Sequence, residues 1–200
     1  MIKVAKKRGY HHGNLREALI GAAVDLVGEL GPHGFTMREA ARRAGVSSGA
    51  PYRHFVDQAA LMKAVAAEGT FKMLAQMDAA AAAAADDPRE RYRARGIEYV
   101  KFAVANQAYF RVMNIPEYND PPPTNAAVQN ILDGQKNGTV YGADPDVIFL
   151  AAQCLVHGLA RMFIDGQMTS RDIGPEQVEQ IAIAVTEVFG HGLAPRSDDA

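Results

Sequence analysis

The sequence of 200 residues contains no tryptophan and a single cysteine, Cys154. One cysteine cannot form an intrachain disulfide, and no Cys/His cluster has the spacing of a structural zinc site. The sequence has no uninterrupted run of about 18 apolar residues, the length that would indicate a transmembrane helix. Residues 1–10 are basic but lack the apolar stretch of a secretory signal. We therefore expect a cytoplasmic protein with no metal, no cofactor and no membrane partner.

The net charge is small, but the charged residues are unevenly distributed along the chain. The formal net charge is −2, yet residues 1–60 carry nine Lys or Arg side chains against five Asp or Glu, a net charge of +4, and the remainder carries −6. A basic N-terminal part and an acidic remainder are typical of a DNA-binding domain joined to a second domain that the phosphates of DNA repel. Random scatter of solvated charge is the alternative interpretation.

Helix-start signals recur along the chain with almost no strand pattern between them. Asn14 to Glu17 and Thr36 to Glu39 are capping-box patterns, which mark helix starts. Pro88, Pro145 and Pro175 are predicted first residues of helices, a position where the missing N–H of proline costs no hydrogen bond. We predict an all-α protein of about nine helices, over residues 15–30, 36–44, 48–54, 58–85, 88–106, 107–114, 124–137, 145–168 and 175–190. Pro116–Thr124 is predicted to be an irregular loop, and residues 193–200 a disordered tail.

The most informative pattern lies between Phe35 and Leu61. A capped short helix, a Gly45-Val46 turn and a second short helix together are typical of a helix-turn-helix. Ala40 and Ala41 are small enough for two helices to cross closely, Gly45 permits a left-handed turn, and Val46 fills the space between the helices. The second helix, at about 48–54, is expected to lie in the major groove of DNA.

The run Gly45-Val46-Ser47-Ser48-Gly49-Ala50-Pro51-Tyr52-Arg53-His54-Phe55, preceded by Phe35 to Ala41, resembles the recognition segment of the TetR family. The resemblance implies an N-terminal three-helix bundle with a helix-turn-helix that binds double-stranded operator DNA, joined to a C-terminal helical domain that dimerises and senses a small molecule. It implies phosphate contacts by Tyr52 and His54, and base contacts from the start of the recognition helix. The predicted DNA-binding residues are Thr36, Arg38, Ser47, Ser48, Gly49, Ala50, Pro51, Tyr52 and His54. Core packing is the alternative for Tyr52, and the preferred role of Phe55.

Two departures from the family pattern affect the DNA contacts. Gln58 stands where the family often has a lysine that binds phosphate, and Ala50-Pro51 replaces a common Thr-Leu pair. Pro51 also disfavours α geometry at Ala50, so we expect the recognition helix to begin irregularly. The basic arm from Lys3 to Arg8, followed by Tyr10, His11 and His12, either contacts DNA or remains a solvated tail.

Gly45 to Gly49 also matches the G-x-S-x-G nucleophile elbow of α/β-hydrolases, with Ser47 as the nucleophile. That elbow requires a strand before it and a sheet beneath it, whereas Met37 to Ala44 is rich in helix formers and the chain has no βαβ repeat. We predict that the protein is not an enzyme and is most simply a ligand-responsive repressor. An activator or a ligand-blind regulator remains open, and a helical adaptor would not need the basic head.

Resemblance weakens beyond Leu61, but Leu150 to Ala160 resembles the regulatory domain named for a Trp, a His and a Gly. His157-Gly158 matches that pattern without its Trp, and Tyr109 to Met113 resembles that domain's central short helix. In the family, the last two helices form the homodimer interface, in which Gly158 and Ala160 would permit close approach. The apolar residues predicted on these helices are Ile148, Leu155, Leu159, Ile181, Val185 and Val188, with internal core packing as the alternative.

A small apolar or amphipathic inducer is expected to bind between the long helix after Asp57 and its neighbours. The predicted lining residues are Phe71, Leu74, Tyr99, Phe102, Phe110, Met113, Cys154, His157 and Met162, each of which is also a candidate for core packing. Cys154 and His157 lie one helical turn apart, but two ligands alone do not define a metal site. The expected domains are a DNA-binding head at 1–57 and a regulatory and dimerisation domain at 58–192.

Overall fold

A computed structural model describes residues 15–119 and 125–192. Over these residues the chain forms α-helices and 3₁₀ turns and no strand, so the all-α prediction is confirmed. The eight α-helices are α1 (Leu15–Leu30), α2 (Met37–Arg43), α3 (Gln58–Ala83), α4 (Pro88–Ala105), α5 (Gln107–Met113), α6 (Asn125–Lys136), α7 (Pro145–Ile164) and α8 (Val178–Gly192). The 3₁₀ turns are Pro51–Arg53, Thr169–Arg171 and Pro175–Gln177. Asn14, the basic arm, the tail and the proline triplet at 121–123 lie outside the described residues.

Aspartate caps begin three of the long helices. The carboxylates of Asp57, Asp87 and Asp144 accept hydrogen bonds from Ala60 N at 2.7 Å, Arg89 N at 2.8 Å and Asp146 N at 2.9 Å. Each carboxylate satisfies an amide that has no partner within its own helix. The predicted starts of the second, third and fourth long helices are therefore confirmed.

Some predicted helix ends were wrong. α3 stops at Ala83, because the next residue, Ala84, is extended at ψ 166°. α7 stops at Ile164 rather than near residue 168, because Gly166 turns the chain through the left-handed region at φ 76°. The segment at 175–177 is a 3₁₀ turn, so α8 starts three residues later than predicted.

The N-terminal part has its own apolar core, which we call the head core. It joins buried residues of α1 and α2 to Phe35, Phe55, the first turns of α3 and Val112 of α5. The α3 members are Leu61, Met62, Val65 and Ala66, all fully buried. The domain boundary expected at 57/58 therefore falls at the start of a helix that also belongs to the head core.

The C-terminal part is built around α4, which packs against α3, α6, α7 and α8. Its main core joins Val100 and Ala103 of α4 to apolar residues of the last two helices and to Phe110 of α5. Ile148, Val156, Leu159 and Ala160 are the buried residues of α7. This arrangement leaves the opposite faces of α7 and α8 uncovered in one chain.

The seven-residue helix α5 joins the two parts. Val112 packs in the head core, Phe110 in the C-terminal core, and Met113 in a third cluster with Met73 and Phe102. Polar contacts add to this packing, because Glu68 of α3 accepts hydrogen bonds from Tyr109 at 2.7 Å and Lys72 at 2.6 Å. Although burial raises the pKa of the Glu68 carboxyl, these two hydrogen bonds lower it overall.

Gly69 allows α5 to lie close against α3. A Cβ at this buried position would stand 2.8 Å from Met113 Sδ and 2.9 Å from Tyr109 Cδ1. Those distances are shorter than van der Waals contact, so any larger residue at this position forces the side chains of Met113 and Tyr109 to move away from α3.

We expect Gly69→Ala to lower the free energy of unfolding by about 1–2 kcal/mol, since overpacking outweighs the gain in helix propensity. Gly28→Ala is the matched control on α1, because a Cβ there meets no atom within 4 Å. The control should be neutral or stabilising by up to about 1 kcal/mol. Urea denaturation followed by circular dichroism measures both, and equal effects would show that the α3–α5 contact is not tight.

Candidate DNA-binding and ligand-binding sites

A complete capping box fixes the start of α2. Thr36 Oγ1 accepts from Glu39 N at 3.3 Å, and the Glu39 carboxylate accepts from Thr36 N at 2.8 Å and from Thr36 Oγ1 at 2.9 Å. Phe35 and Met37, on either side of the cap, are buried in the head core. The predicted helix start is confirmed, and Thr36 and Arg38 are held at the surface of the head.

The turn after α2 has the predicted geometry. Gly45 adopts φ 73°, a left-handed conformation that is costly for residues with a Cβ. Val46 N then donates to Ala41 O at 2.9 Å, and the Val46 side chain packs against the head core. Ala40 and Ala41 are almost fully buried, as expected for two helices that cross closely.

The predicted recognition helix at 48–54 was wrong in extent: the segment is one 3₁₀ turn, Pro51–Arg53, which we call the recognition turn. Ala50 lies in the right-handed helical region at φ −62° and ψ −40°, so proline has not excluded that geometry. Pro51 supplies no N–H, and the chain must become extended at Asp57 to cap α3. These two constraints leave space for a single turn.

The recognition turn has a buried side and an exposed side. Pro51 and Phe55 are buried, whereas the consecutive residues Tyr52, Arg53 and His54 are exposed. The structure places Ser47, Ser48 and Gly49 at the surface and Ala50 half-buried. Among the predicted DNA-binding residues, Pro51 is the one whose side chain faces the core, because it closes the turn onto the head.

Sequence reasoning omitted two exposed arginines from the predicted interface. Arg42 near the end of α2 and Arg53 in the recognition turn have no ion pair with any residue that the structure describes. The neighbouring Arg43 differs, because its guanidinium makes two hydrogen bonds to Glu29, at 2.7 and 2.6 Å. The charge count in the first 60 residues contained this signal but could not separate free from paired arginines.

The Gln58 side chain makes a hydrogen bond within the head and does not extend freely into solvent. Its Nε2 donates to Phe35 O at 3.0 Å and ties the start of α3 to the residue before the Thr36 cap of α2. The lysine that the family pattern would place here is thus replaced by a side chain that holds the head together. This region includes exposed residues of α2 and of the recognition turn.

The C-terminal part contains a partly open cavity of about 400 Å³ between α3, α4, α6 and α7. Most of its walls are apolar, with Met73, Met77, Met113, Phe149 and Val156 among the lining residues. Thr70, Asn114, Asn119 and Gln153 add polar groups, and Asp78 and Arg95 are its charged residues within the described chain. This size is in the range of sites for small organic ligands.

The predicted ligand-binding residues separate into three groups. Leu74, Tyr99 and Met113 line the cavity, while Phe102, Phe110 and Met162 pack in the cores behind it and His157 bonds to Tyr99. Phe71 and Cys154 are exposed to solvent and lie outside the cavity, so that expectation was wrong for both. The reason is helix register, since the cavity faces of α3 and α7 run through residues 70, 73, 74, 77 and 149, 152, 153, 156.

Tyr99, Phe110 and His157 form a contact between α4, α5 and α7. Tyr99 Oη lies 3.0 Å from His157 Nδ1, and the Phe110 ring lies 5.8 Å from Tyr99 and 5.4 Å from His157. Burial raises the pKa of Tyr99 to about 12, and burial together with Arg161 lowers the pKa of His157. The described residues contain no group of three His, Cys, Asp or Glu that would hold a metal ion.

The family described as "Bacterial regulatory proteins, tetR family" matches residues 19–65, which span most of α1, α2, the recognition turn and the start of α3. A solved structure of a protein of unknown function from Rhodococcus sp. RHA1 is 30% identical, covers 94% of this chain and 100% of its own, and has a TM-score of 0.77. The chain belongs to the TetR family. Comparison with curated proteins gave no match.

Two further solved structures share the fold at lower identity. A tetR-family regulatory protein from Rhodococcus RHA1 is 22% identical over 91% of this chain and 98% of its own, with a TM-score of 0.74. A putative tetR-family regulator from Shewanella sp. PV-4 is 19% identical over 91% and 99%, with a TM-score of 0.68. Together with the family match over residues 19–65, this shared fold supports DNA-binding transcription regulation as the function class of the chain.

TetR-family regulators are generally not enzymes, and the local structure around Ser47 agrees with that class. Ser47 follows α2 and the Gly45 turn, whereas a nucleophile elbow joins a strand to a helix. The G-x-S-x-G match is thus part of the helix-turn-helix.

The lowered pKa of His157 predicts a loss of stability in acid. An unfolded chain binds a proton on this histidine near its ordinary pKa of 6.5, while the folded chain resists protonation to lower pH. The free energy of unfolding should therefore fall as pH drops from about 7 to about 5. In His157→Gln the fall should be smaller, and in His191→Gln, at an exposed position, it should match the unaltered protein. Urea titrations at several pH values test this, and an identical fall in His157→Gln would contradict it.

Proposed function

We propose that this chain is a cytoplasmic, ligand-responsive homodimeric repressor that leaves its operator when a small molecule enters the C-terminal cavity. The observation that carries the proposal is the position of α5, whose Val112 packs in the head core while Met113 lines the cavity. A ligand that displaces Met113 therefore acts on a helix that also supports the DNA-binding head. Ligand binding and DNA binding are then linked through one packed element.

The head supports DNA binding through a rigid, exposed edge. Thr36, Arg38, Ser47, Ser48, Gly49, Tyr52 and His54 are the proposed DNA-contacting residues, with Arg42 and Arg53 added. Buried Pro51 and Phe55 fix the backbone of the recognition turn, so little backbone entropy is lost there when DNA binds. Arginine and tyrosine suit phosphate contacts, and the serines and the backbone at Gly49 suit close approach to base edges.

The last two helices support a homodimer. α7 exposes Val147, Leu150 and Cys154, and α8 exposes Ile183 and Val188, on the sides that the rest of the chain leaves uncovered. The residues named from sequence were mainly inward-facing, because Ile148, Leu159 and Ala160 are buried within the chain. α7 is also long and apolar enough to span a membrane, but its buried residues pack against α4 and α8, as in a core helix. A second copy would cover the exposed apolar face and place two heads on a pseudo-palindromic operator.

We also propose that the C-terminal domain is of the Trp-His-Gly type. His157 and Gly158 lie in α7, where the sequence resemblance expects them, and residues 109–113 form most of α5. Contact of His157 with Tyr99 and Phe110 gives the histidine a role in holding α4, α5 and α7 together. The missing tryptophan leaves that role to these two aromatic rings.

DNA binding is tested with Tyr52→Ala and His54→Ala. Each should weaken binding to DNA from upstream of the protein's own gene by about tenfold, because one hydrogen bond to a phosphate is lost. Tyr141→Ala is the control, since Tyr141 is an exposed tyrosine outside the head. Fluorescence anisotropy at fixed salt gives the affinities, with scrambled DNA as competitor. Equal affinity for both DNAs, or equal effects of Tyr52→Ala and Tyr141→Ala, would contradict the proposal.

Dimerisation is tested with Leu150→Glu and Val188→Glu, which place charge on the exposed apolar face. Burying an unpaired carboxylate is costly, so either change should convert the dimer to a folded monomer. Phe71→Glu is the matched control, because Phe71 is a comparably exposed apolar residue on α3. Light scattering after size exclusion gives the mass. A monomeric unaltered protein, or a dimer that survives both changes, would rule out this interface.

A further inference from the structure

Arg95 of α4 is a buried charge with few partners. Its side chain is 10% exposed, and Nη2 donates a hydrogen bond to Oδ1 of Asp78 on α3. Its Nε–H is out of contact with solvent and has no hydrogen-bond partner among the described residues. A guanidinium has five N–H donors and is always charged in proteins, so one carboxylate leaves it incompletely satisfied.

The hydrogen bond to Asp78 is not enough to stabilise the buried Arg95 guanidinium. The Asp78 side chain is 61% exposed, so water competes for its carboxylate and weakens its hold on the guanidinium. Arg91 on the same helix makes an ordinary surface pair with Asp86, where both partners are open to solvent. Arg95, by contrast, lines the cavity, so its positive charge borders the space that a ligand would occupy.

The remaining cavity walls make Arg95 the site's main electrostatic feature. Tyr92 and Tyr99 also line the cavity, and burial raises the pKa of both phenols, so they remain neutral. Met73 and Met77 lie on α3 between Thr70 and Asp78, whose eight-residue separation corresponds to about 12 Å of helix. Thr70 Oγ1, at the far end of this apolar stretch, is a second buried polar atom without a partner.

We propose that the cavity binds a small amphipathic anion, with its carboxylate or similar acidic head on Arg95 and its apolar body along Met73 and Met77. This inference rests on the proposed ligand-responsive function and names the chemical class of the ligand. An acidic head takes the free donors of the guanidinium in the planar, two-pronged geometry that arginine offers. Asp78 then acts as a competitor for the same guanidinium and repels the incoming anion.

Three probes of equal chain length test the head group: octanoate, octanol and octylammonium. Isothermal titration of the DNA-free protein should show octanoate binding at least about tenfold more tightly than either of the others, as expected for charge-assisted hydrogen bonds. Equal affinities, preference for octylammonium, or no binding by any of the three would overturn the proposal.

Variants at the ion pair separate a binding role from a structural one. Arg95→Met should abolish the preference for octanoate, and Arg91→Met, the control on the same helix, should retain it. Asp78→Asn should strengthen octanoate binding, because it frees the guanidinium and removes the repulsion. If the Arg95–Asp78 pair only stabilises the fold, Asp78→Asn should instead weaken binding as Arg95→Met does, which would overturn the proposal. Asp78 is largely exposed, so Asp78→Asn keeps the test decisive even where Arg95→Met fails to fold.

Operator release is measured separately, by anisotropy with and without octanoate. Arg95-dependent octanoate binding that leaves DNA affinity unchanged would uphold the ligand class and contradict the ligand-responsive function. Release of DNA by octanol as readily as by octanoate would uphold that function and contradict the ligand class.

Discussion

The close contact between α3 and α5 at Gly69 is the constraint on which the other features depend. α3 runs from the head core to the cavity wall, and α5 contributes buried Val112 to the head core, Met113 to the cavity wall and Phe110 to the C-terminal core. The absence of a side chain at Gly69 brings Tyr109 and Met113 against α3, which also allows the Tyr109–Glu68–Lys72 hydrogen bonds to form. The proposed response of the head to a ligand in the cavity relies on this dense packing, because packed interfaces shift between discrete arrangements and do not deform smoothly.

Sequence patterns were most informative where one local interaction decides the structure. The Thr36 capping box, the left-handed Gly45 and the helix starts at Pro88 and Pro145 each depend on neighbours within a few residues, and all four are present. The recognition helix was overestimated because its length is set by the extended cap of α3, which the pattern at 48–54 does not contain. The predicted ends of α3 and α7 were wrong for a similar reason, because the helical pattern does not show the extended Ala84 or the left-handed Gly166 that end these helices.

Tertiary placement of the candidate cavity residues was less predictable. Apolar residues on an apolar helix give little indication of which face turns inward, so Phe71 and Cys154 were assigned to the cavity although they face solvent. Arg95 was not considered, since a single arginine within the charged helix Pro88–Ala105 is ordinary in sequence. Its significance comes from burial and from a missing hydrogen-bond partner, which are properties of the assembled structure.

The short recognition turn has a consequence for how such a protein identifies its site. One turn between Pro51 and Arg53 offers fewer side chains to a groove than a long helix does, so each head extracts little sequence information by itself. In the proposed homodimer, discrimination between DNA sites would then depend on the distance and orientation between the two heads, and on how easily the intervening DNA bends or narrows. Binding by this homodimer would thus respond more to the geometry of the duplex than to its base sequence, and a small change in the distance between the two heads would be enough to weaken it.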